Sequence, residues 1–172
     1  MKKNLIVIFI FFTITACNST EQQFPKTIKN NNSNIHMVDG DDKAMNIAIE
    51  TAKEKFDDFD RAFKSNKYDT STFAIKLKFP IEKGATGEHI WLSYLTFKNG
   101  FYYGIIDNVP EFTTKIKEGQ EIKVSKDKIS DWMYSDNNGI LKGGFTILVR
   151  SSRMTPIERK EYDSTFPFII KE

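Results

Sequence analysis

Apolar and polar residues change rhythm several times along this chain. Leu5 to Phe12 is an unbroken apolar run, and residues 18–40 show no apolar period, with Lys29-Asn30-Asn31-Asn32-Ser33-Asn34 wholly polar. Such a polar stretch cannot repay its ordering entropy and reads as a flexible tether. From Asp41 a helical rhythm begins. Met45, Ala48, Ile49, Ala52, Phe56, Phe59 and Phe63 recur at spacings of three and four, while Lys43, Glu50, Lys53, Glu54, Lys55 and Asp58 fill the other face. This predicts one amphipathic helix of about 20 residues, ending near Ser65-Asn66. Asp41 or Asp42 can cap it. Its apolar stripe is expected to pack on a sheet.

The period then becomes two. Phe73, Ile75, Leu77 and Phe79 alternate with Ala74, Lys76 and Lys78, and Pro80 ends the run, as in a half-buried strand. Gly84 and Gly87 mark a loop, and Glu88 to Phe97 is a second strand. Asn99-Gly100 is a tight-turn signal, since both residues accept positive φ, and Phe101 to Ile106 returns. Val109, Phe112 and Ile116 predict a short helix stopped by Gly119. Glu121 to Ser125 reads as a short strand, and Lys128 to Tyr134 as a turn or a single helical turn against the core. Gly143-Gly144 precedes a last strand, with Phe145, Ile147 and Val149 alternating. Thr155-Pro156-Ile157-Glu158 holds a capping box with proline at the first helical position, opening a short closing helix. The pattern implies an α+β class: one long amino-terminal helix on a mainly antiparallel sheet of about five strands, with a short closing helix. Glycines beside strands would let the sheet curve or close towards a barrel.

The amino end has a different logic. Lys2 and Lys3 precede the apolar run, which is far shorter than the roughly 20 residues of a spanning helix and suits a secretion signal. Ile14-Thr15-Ala16-Cys17 resembles the lipobox of bacterial lipoproteins. That resemblance implies cleavage after Ala16, a diacylglycerol on Cys17 and a stable anchor of two or more acyl chains. The expected organisation is a lipoprotein signal peptide at 1–16, a lipidated Cys17 and tether over 17–40, and one α+β domain over 41–172. The expected location is the cell envelope, with the choice of membrane left open.

Charge and cysteine usage narrow the function classes. Cys17 is the sole cysteine, so no internal disulfide and no thiol chemistry is available to the folded part. Loss of Lys2 and Lys3 with the signal leaves 23 Lys+Arg against 23 Asp+Glu. Interleaved charges at near neutrality do not make the basic face that a nucleic-acid partner needs.

Several segments are distinctive: Phe73-Ala74-Ile75-Lys76, Glu88-His89-Ile90-Trp91, Gly104 to Pro110, Gly119-Gln120-Glu121-Ile122, Ile129-Ser130-Asp131-Trp132-Met133-Tyr134, and Leu141-Lys142-Gly143-Gly144-Phe145-Thr146. Over residues 73–162 the chain resembles the bacterial domain of unknown function numbered 2314, which includes small YegJ-like proteins. Glu88, His89, Trp91, Asp131, Trp132, Gly143, Gly144 and Thr146 match its pattern. The resemblance carries no activity, cofactor or ligand with it.

Two candidate sites can be drawn from these residues. His89 with Glu88 or Asp131 could serve as an acid–base pair of a small envelope hydrolase. Neighbouring Glu88 and His89 would, however, point to opposite faces of a strand. A single histidine in the domain is also too few for a zinc site, so no metal is expected. Asp131 has a simpler use, accepting backbone amides or capping a turn. Trp91, Tyr94, Tyr102, Tyr103 and Trp132 could line an aromatic groove, or else fill the core. Gly143-Gly144 lacks the frame of a phosphate loop. The expected function is therefore a lipid-anchored, non-catalytic binding or accessory domain whose ligand could be another envelope protein, a toxin or a glycan, the alternatives being that hydrolase and a structural lipoprotein. No cofactor is implied.

Overall fold

The computed structural model describes residues 42–81 and 87–171, so the signal, Cys17 and tether lie outside the described residues. The helical stripe forms two helices, α1 (Lys43–Glu54) and α2 (Phe56–Lys64), rather than one long helix. Asp42 caps α1 by accepting from the Met45 amide at 3.1 Å. The break at Lys55 has a visible cause. The Trp132 indole donates to the Ala52 carbonyl at 2.8 Å, the carbonyl that the Phe56 amide would use in a continuous helix. The acidic first turn of α2, Asp57 and Asp58, suits a fresh helix start.

Six strands follow: β1 (Ala74–Phe79), β2 (Glu88–Lys98), β3 (Phe101–Ile106), β4 (Glu121–Lys123), β5 (Ile129–Ser135) and β6 (Leu141–Gly143). They form one antiparallel sheet in the order β4-β3-β2-β1-β5-β6. The sheet is open, not a barrel, and has one strand more than the alternation suggested. Asn99 and Gly100 both take positive φ in the β2–β3 turn, as a two-residue hairpin requires.

Three segments differ from the sequence expectation. Ile129–Ser135 is a strand, not a turn, and six of its seven residues are buried. It is covered on both faces, which erases the alternation by which a half-buried strand is recognised. Phe145–Ser152 is helix α3, not a strand. Residues 109–118 form no helix. The chain there is irregular and held from outside, as described below.

Directly paired residues share a face of the sheet, so the register sorts the side chains. Ile75, Leu77, Phe79, Ile90, Leu92 and Trp132 pack with Phe56, Phe59 and Phe73 under α1 and α2. Ala74 and Met133 face the other way, against Leu141, Ile147 and Phe168. α3 adds Ile147 to this second cluster while its Phe145 reaches Trp132 of the first, and α4 (Pro156–Thr165), opened by the Thr155–Glu158 capping box, adds Tyr162 to the second. The chain end returns beside β6, where the Leu141 amide donates to the Ile169 carbonyl at 3.0 Å.

Candidate functional site

On the second face, β1 places Lys76 between Trp91 of β2 and Asp131 of β5. Asp131 is fully buried, at 0 % exposure. It accepts four hydrogen bonds: from the amides of Trp132 (2.8 Å), Phe145 (3.1 Å) and Thr146 (2.8 Å), and from the Thr146 hydroxyl (2.5 Å). Two of those amides belong to the first turn of α3. Asp131 therefore caps that helix from 14 residues away, supplying both the missing acceptor and the negative charge that a helix start favours. This converts an alternating run into a helix.

The glycines complete the start of α3. Gly143 and Gly144 have φ of 73° and 64°. A Cβ on Gly143 would lie 2.3 Å from the Trp132 carbonyl oxygen and 2.4 Å from its ring. The Gly144 amide donates to that same carbonyl at 2.7 Å. Only glycine lets the chain turn this tightly over Trp132.

Lys76 donates to the Thr146 hydroxyl at 3.2 Å, so an ammonium, a hydroxyl and a carboxylate form a line. Burial lowers the Lys76 pKa, with Arg150 adding to the effect and Asp131 opposing it. Burial raises the Asp131 pKa, against the pull of Lys76 and of its donors. A hydroxyl between a base and a cation is the outline of an activated nucleophile. Thr146, however, is only 4 % exposed and spends its proton on Asp131. The arrangement holds α3 to the sheet.

His89 pairs with Lys78, one step further along the same face. Its pKa is lowered to about 4, first by burial and then by Lys76 and Lys78. The imidazole is neutral at pH 7. Asp131 and His89 are separated by β1 and offset by two residues along it, roughly 12 Å between backbones at ordinary strand spacing and rise. Glu88 lies on the opposite face, paired with Phe79. Its carboxylate accepts from the amides of Glu111 (2.7 Å), Phe112 (3.1 Å) and Thr113 (2.8 Å). That clasp, with Asn108 accepting from the Trp91 amide at 3.3 Å, orders the segment expected to be helical. It leaves Val109 64 % and Phe112 44 % exposed. Thus the structure does not bring Glu88, His89 and Asp131 together. Among the described residues no group of three metal-ligating side chains occurs.

The aromatic residues divide as well. Tyr102 and Trp132 are in the core under α2, each within 6 Å of Phe59, and the Tyr102 hydroxyl donates to Asp60 at 2.9 Å. Trp91 is half-buried on the other face with the Lys76 ammonium 5.1 Å from its ring. Tyr94 sits in a bulge of β2 with positive φ, 55 % exposed. Tyr103 lies under the Lys98 ammonium. No single groove gathers them. Sequence reading missed Lys76, Lys78 and Arg150. The alternation that marks β1 made its lysines look like solvated charges.

The fold defines an α+β class with helices on both faces of an open antiparallel sheet. The particular family follows from comparison. Residues 42–168 match the family described as "Uncharacterized protein conserved in bacteria (DUF2314)", and the chain belongs to it. It is 38% identical over 148 residues to "Uncharacterized protein YegJ" of Escherichia coli strain K12, covering 86% of each chain. It is 33% identical over 138 residues to "Putative ankyrin repeat protein NMB1133/NMB1171" of Neisseria meningitidis serogroup B, covering 77% of this chain and 54% of that protein. No solved structure matches. Among the described residues no helix is long and apolar enough to cross a membrane.

Proposed function

We propose that this protein is a lipid-anchored envelope protein whose folded part is a non-catalytic binding or accessory domain. One observation carries the second half of that reading: the carboxylates that chemistry would need are consumed by the fold. Asp131 is saturated by four donors and Glu88 spends most of its acceptor capacity on three, capacity that a general base must offer a substrate. What remains exposed is recognition material: Val109 and Phe112 on a braced loop, and Arg150 at the end of α3. The lipobox resemblance at Cys17 supports the anchor and an envelope location.

Two measurements test the proposal. Radiolabelled palmitate fed to growing cells should enter the wild-type protein and not Cys17→Ala, and only the former should sediment with membranes. Cross-linking of the tagged protein in native membranes, followed by mass identification, should return one stoichiometric envelope partner. Unlabelled wild-type protein refutes the anchor. A purified protein that hydrolyses envelope substrates, and loses that activity in His89→Gln, refutes the non-catalytic reading.

A further inference from the structure

We propose that Lys76, Lys78, His89, Trp91 and Arg150 form a binding site for an oxyanion, a carboxylate or phosphate carried on a small molecule with an apolar body. The proposal deepens the binding-domain reading and rests on it. The antiparallel register puts Lys76 beside Trp91 and Lys78 beside His89, all on the second face of the sheet. Arg150 enters from the last turn of α3. It reaches this face because Asp131 and Thr146 pin that helix to β5 and β1.

The charge here is unbalanced. Among the described residues the carboxylate that acts on Lys76 is Asp131, which is already occupied by amides and a hydroxyl, and Asp163, which acts on Tyr162 beside Arg150, is held by Arg159. Among the described residues neither Lys78 nor Arg150 takes part in an ion pair. Lys76 is withdrawn from water and feels the charge of Arg150, which itself lies open to solvent, and a buried cation beside a second one holds stability down unless an anion joins them. Both Arg150 and the ring of His89 feel the Lys76 charge. An oxyanion placed among them would turn that repulsion into charge-assisted hydrogen bonding.

The other groups fit the same ligand. A neutral imidazole keeps one N–H donor, available to an oxyanion without a counter-charge of its own. Trp91 is half-buried, with Lys76 5.1 Å from its ring and apolar neighbours in the α3–α4 layer, so its uncovered part offers a flat apolar surface next to the cations. Arg150 packs 5.7 Å from the Tyr162 ring, which narrows the directions its guanidinium can take. Trp91 packs one side against this second cluster, and the charged side chains lie outside it. Its buried members are Ala74, Met133, Leu141, Ile147 and Phe168.

The test uses the full chain in a neutral detergent, titrated with sodium phosphate and with sodium benzoate against sodium chloride of matched ionic strength. Two signals are read: tryptophan fluorescence, and the His89 ring resonances across pH. The expected result is a saturable fluorescence change with a Kd on the order of 1 mM, absent in Trp91→Phe. It should weaken about tenfold in Lys78→Gln and in Arg150→Gln. The His89 pKa should move from about 4 back towards its ordinary value of 6.5. Melting temperatures of the two charge variants should stay at or above wild type, so that lost binding is not lost folding.

An equal response to chloride, or an unchanged response in the Lys78→Gln/Arg150→Gln double variant, overturns the proposal. A second arm uses vesicles of phosphatidylglycerol. Binding to vesicles that depends on Lys78 and Arg150, without a response to free phosphate or benzoate, supports the site with a lipid headgroup as the source. No response in either arm overturns it. A captured protein partner whose binding ignores phosphate and both charge variants leaves the binding-domain reading standing without this site.

Discussion

At the residue scale, the structure turns on side chains that bond the backbone of distant segments. Asp131 and Glu88 are both of this kind, but they differ in burial. Asp131→Asn keeps the shape and replaces one acceptor oxygen with a donor that faces amide hydrogens. Leaving buried amides unpaired costs about 1–3 kcal/mol, with the larger end applying when the lost acceptor is charged. Asp131→Asn should therefore destabilise the protein by roughly 3 kcal/mol in denaturant unfolding. Lys76→Met should cost less, since its partner Asp131 keeps four donors. Gly143→Ala is the steric counterpart. Its Cβ would meet a carbonyl oxygen at 2.3 Å, and its φ is 73°. Both the strain and the clash oppose folding, and a loss above about 2 kcal/mol is expected. The same change at Gly100, where a Cβ meets nothing within 4 Å, should cost only the φ term of about 1 kcal/mol. Unequal losses at these two positive-φ glycines would separate packing from backbone strain; equal losses would contradict the close approach to Trp132.

At the element scale, what the sequence disclosed depends on how many sides of an element are covered. β1, β2 and β3 keep the alternation of a strand, and the Asn99-Gly100 turn fixes where they reverse. The closing helix announces itself through Thr155, Pro156 and Glu158. β5 is sandwiched, so its period vanished and it read as a turn. α3 was misread for another reason. Phe145, Ile147 and Val149 do alternate, but the helix start is made by Asp131, which no local window includes. The long amino-terminal helix was right in face and wrong in continuity, because the interrupting donor is Trp132, 80 residues away. The candidate site suffered likewise: the residue types were visible, while their assignment to opposite sheet faces required the register. Hydrogen exchange can test the long-range cap directly. In Asp131→Asn the amides of Phe145 to Leu148 should lose protection at conditions where those of Ile75 and Leu92 keep theirs. Glu88→Gln should selectively speed exchange at Glu111, Phe112 and Thr113. Uniform loss over the whole sheet in either variant would mean that α3 and the loop are not separately held.

At the scale of the whole molecule, the described fold is closed across its helices by an ion pair. Arg153, at the end of α3, donates to both oxygens of Asp42, the cap of α1, at 2.6 and 2.7 Å. The Asp42 pKa is lowered to about 2, chiefly by the Arg153 hydrogen bond. A lowered carboxylate pKa adds stability that is present above 3.8 and is lost as pH falls through about 2. His89 acts in a different window. Its pKa falls from 6.5 to about 4 in the folded protein. The unfolded chain therefore takes up the proton first, and stability declines as pH drops from 6.5 to about 4. The full shift corresponds to at most ~3 kcal/mol. Asp131, whose pKa is raised by burial, works in the opposite sense, gaining stability as it protonates and partly masking the decline. Acid denaturation should accordingly proceed in two separable stages. His89→Gln should flatten the upper stage and leave the lower one; Asp42→Asn should reduce the lower one, which Asp60, Asp127 and Asp136 share through their own lowered pKa values, and leave the upper. Anion binding beside Lys76 and Lys78 would shift the upper stage, because it offsets the two charges that add to burial in keeping His89 neutral. Unfolding curves measured across pH for these two variants, with and without phosphate, would thus tell the helix clasp from the cationic face in one experiment. If His89→Gln leaves the slope between pH 6.5 and 4 unchanged, the imidazole is neither withdrawn from water nor set against the lysines as the fold places it.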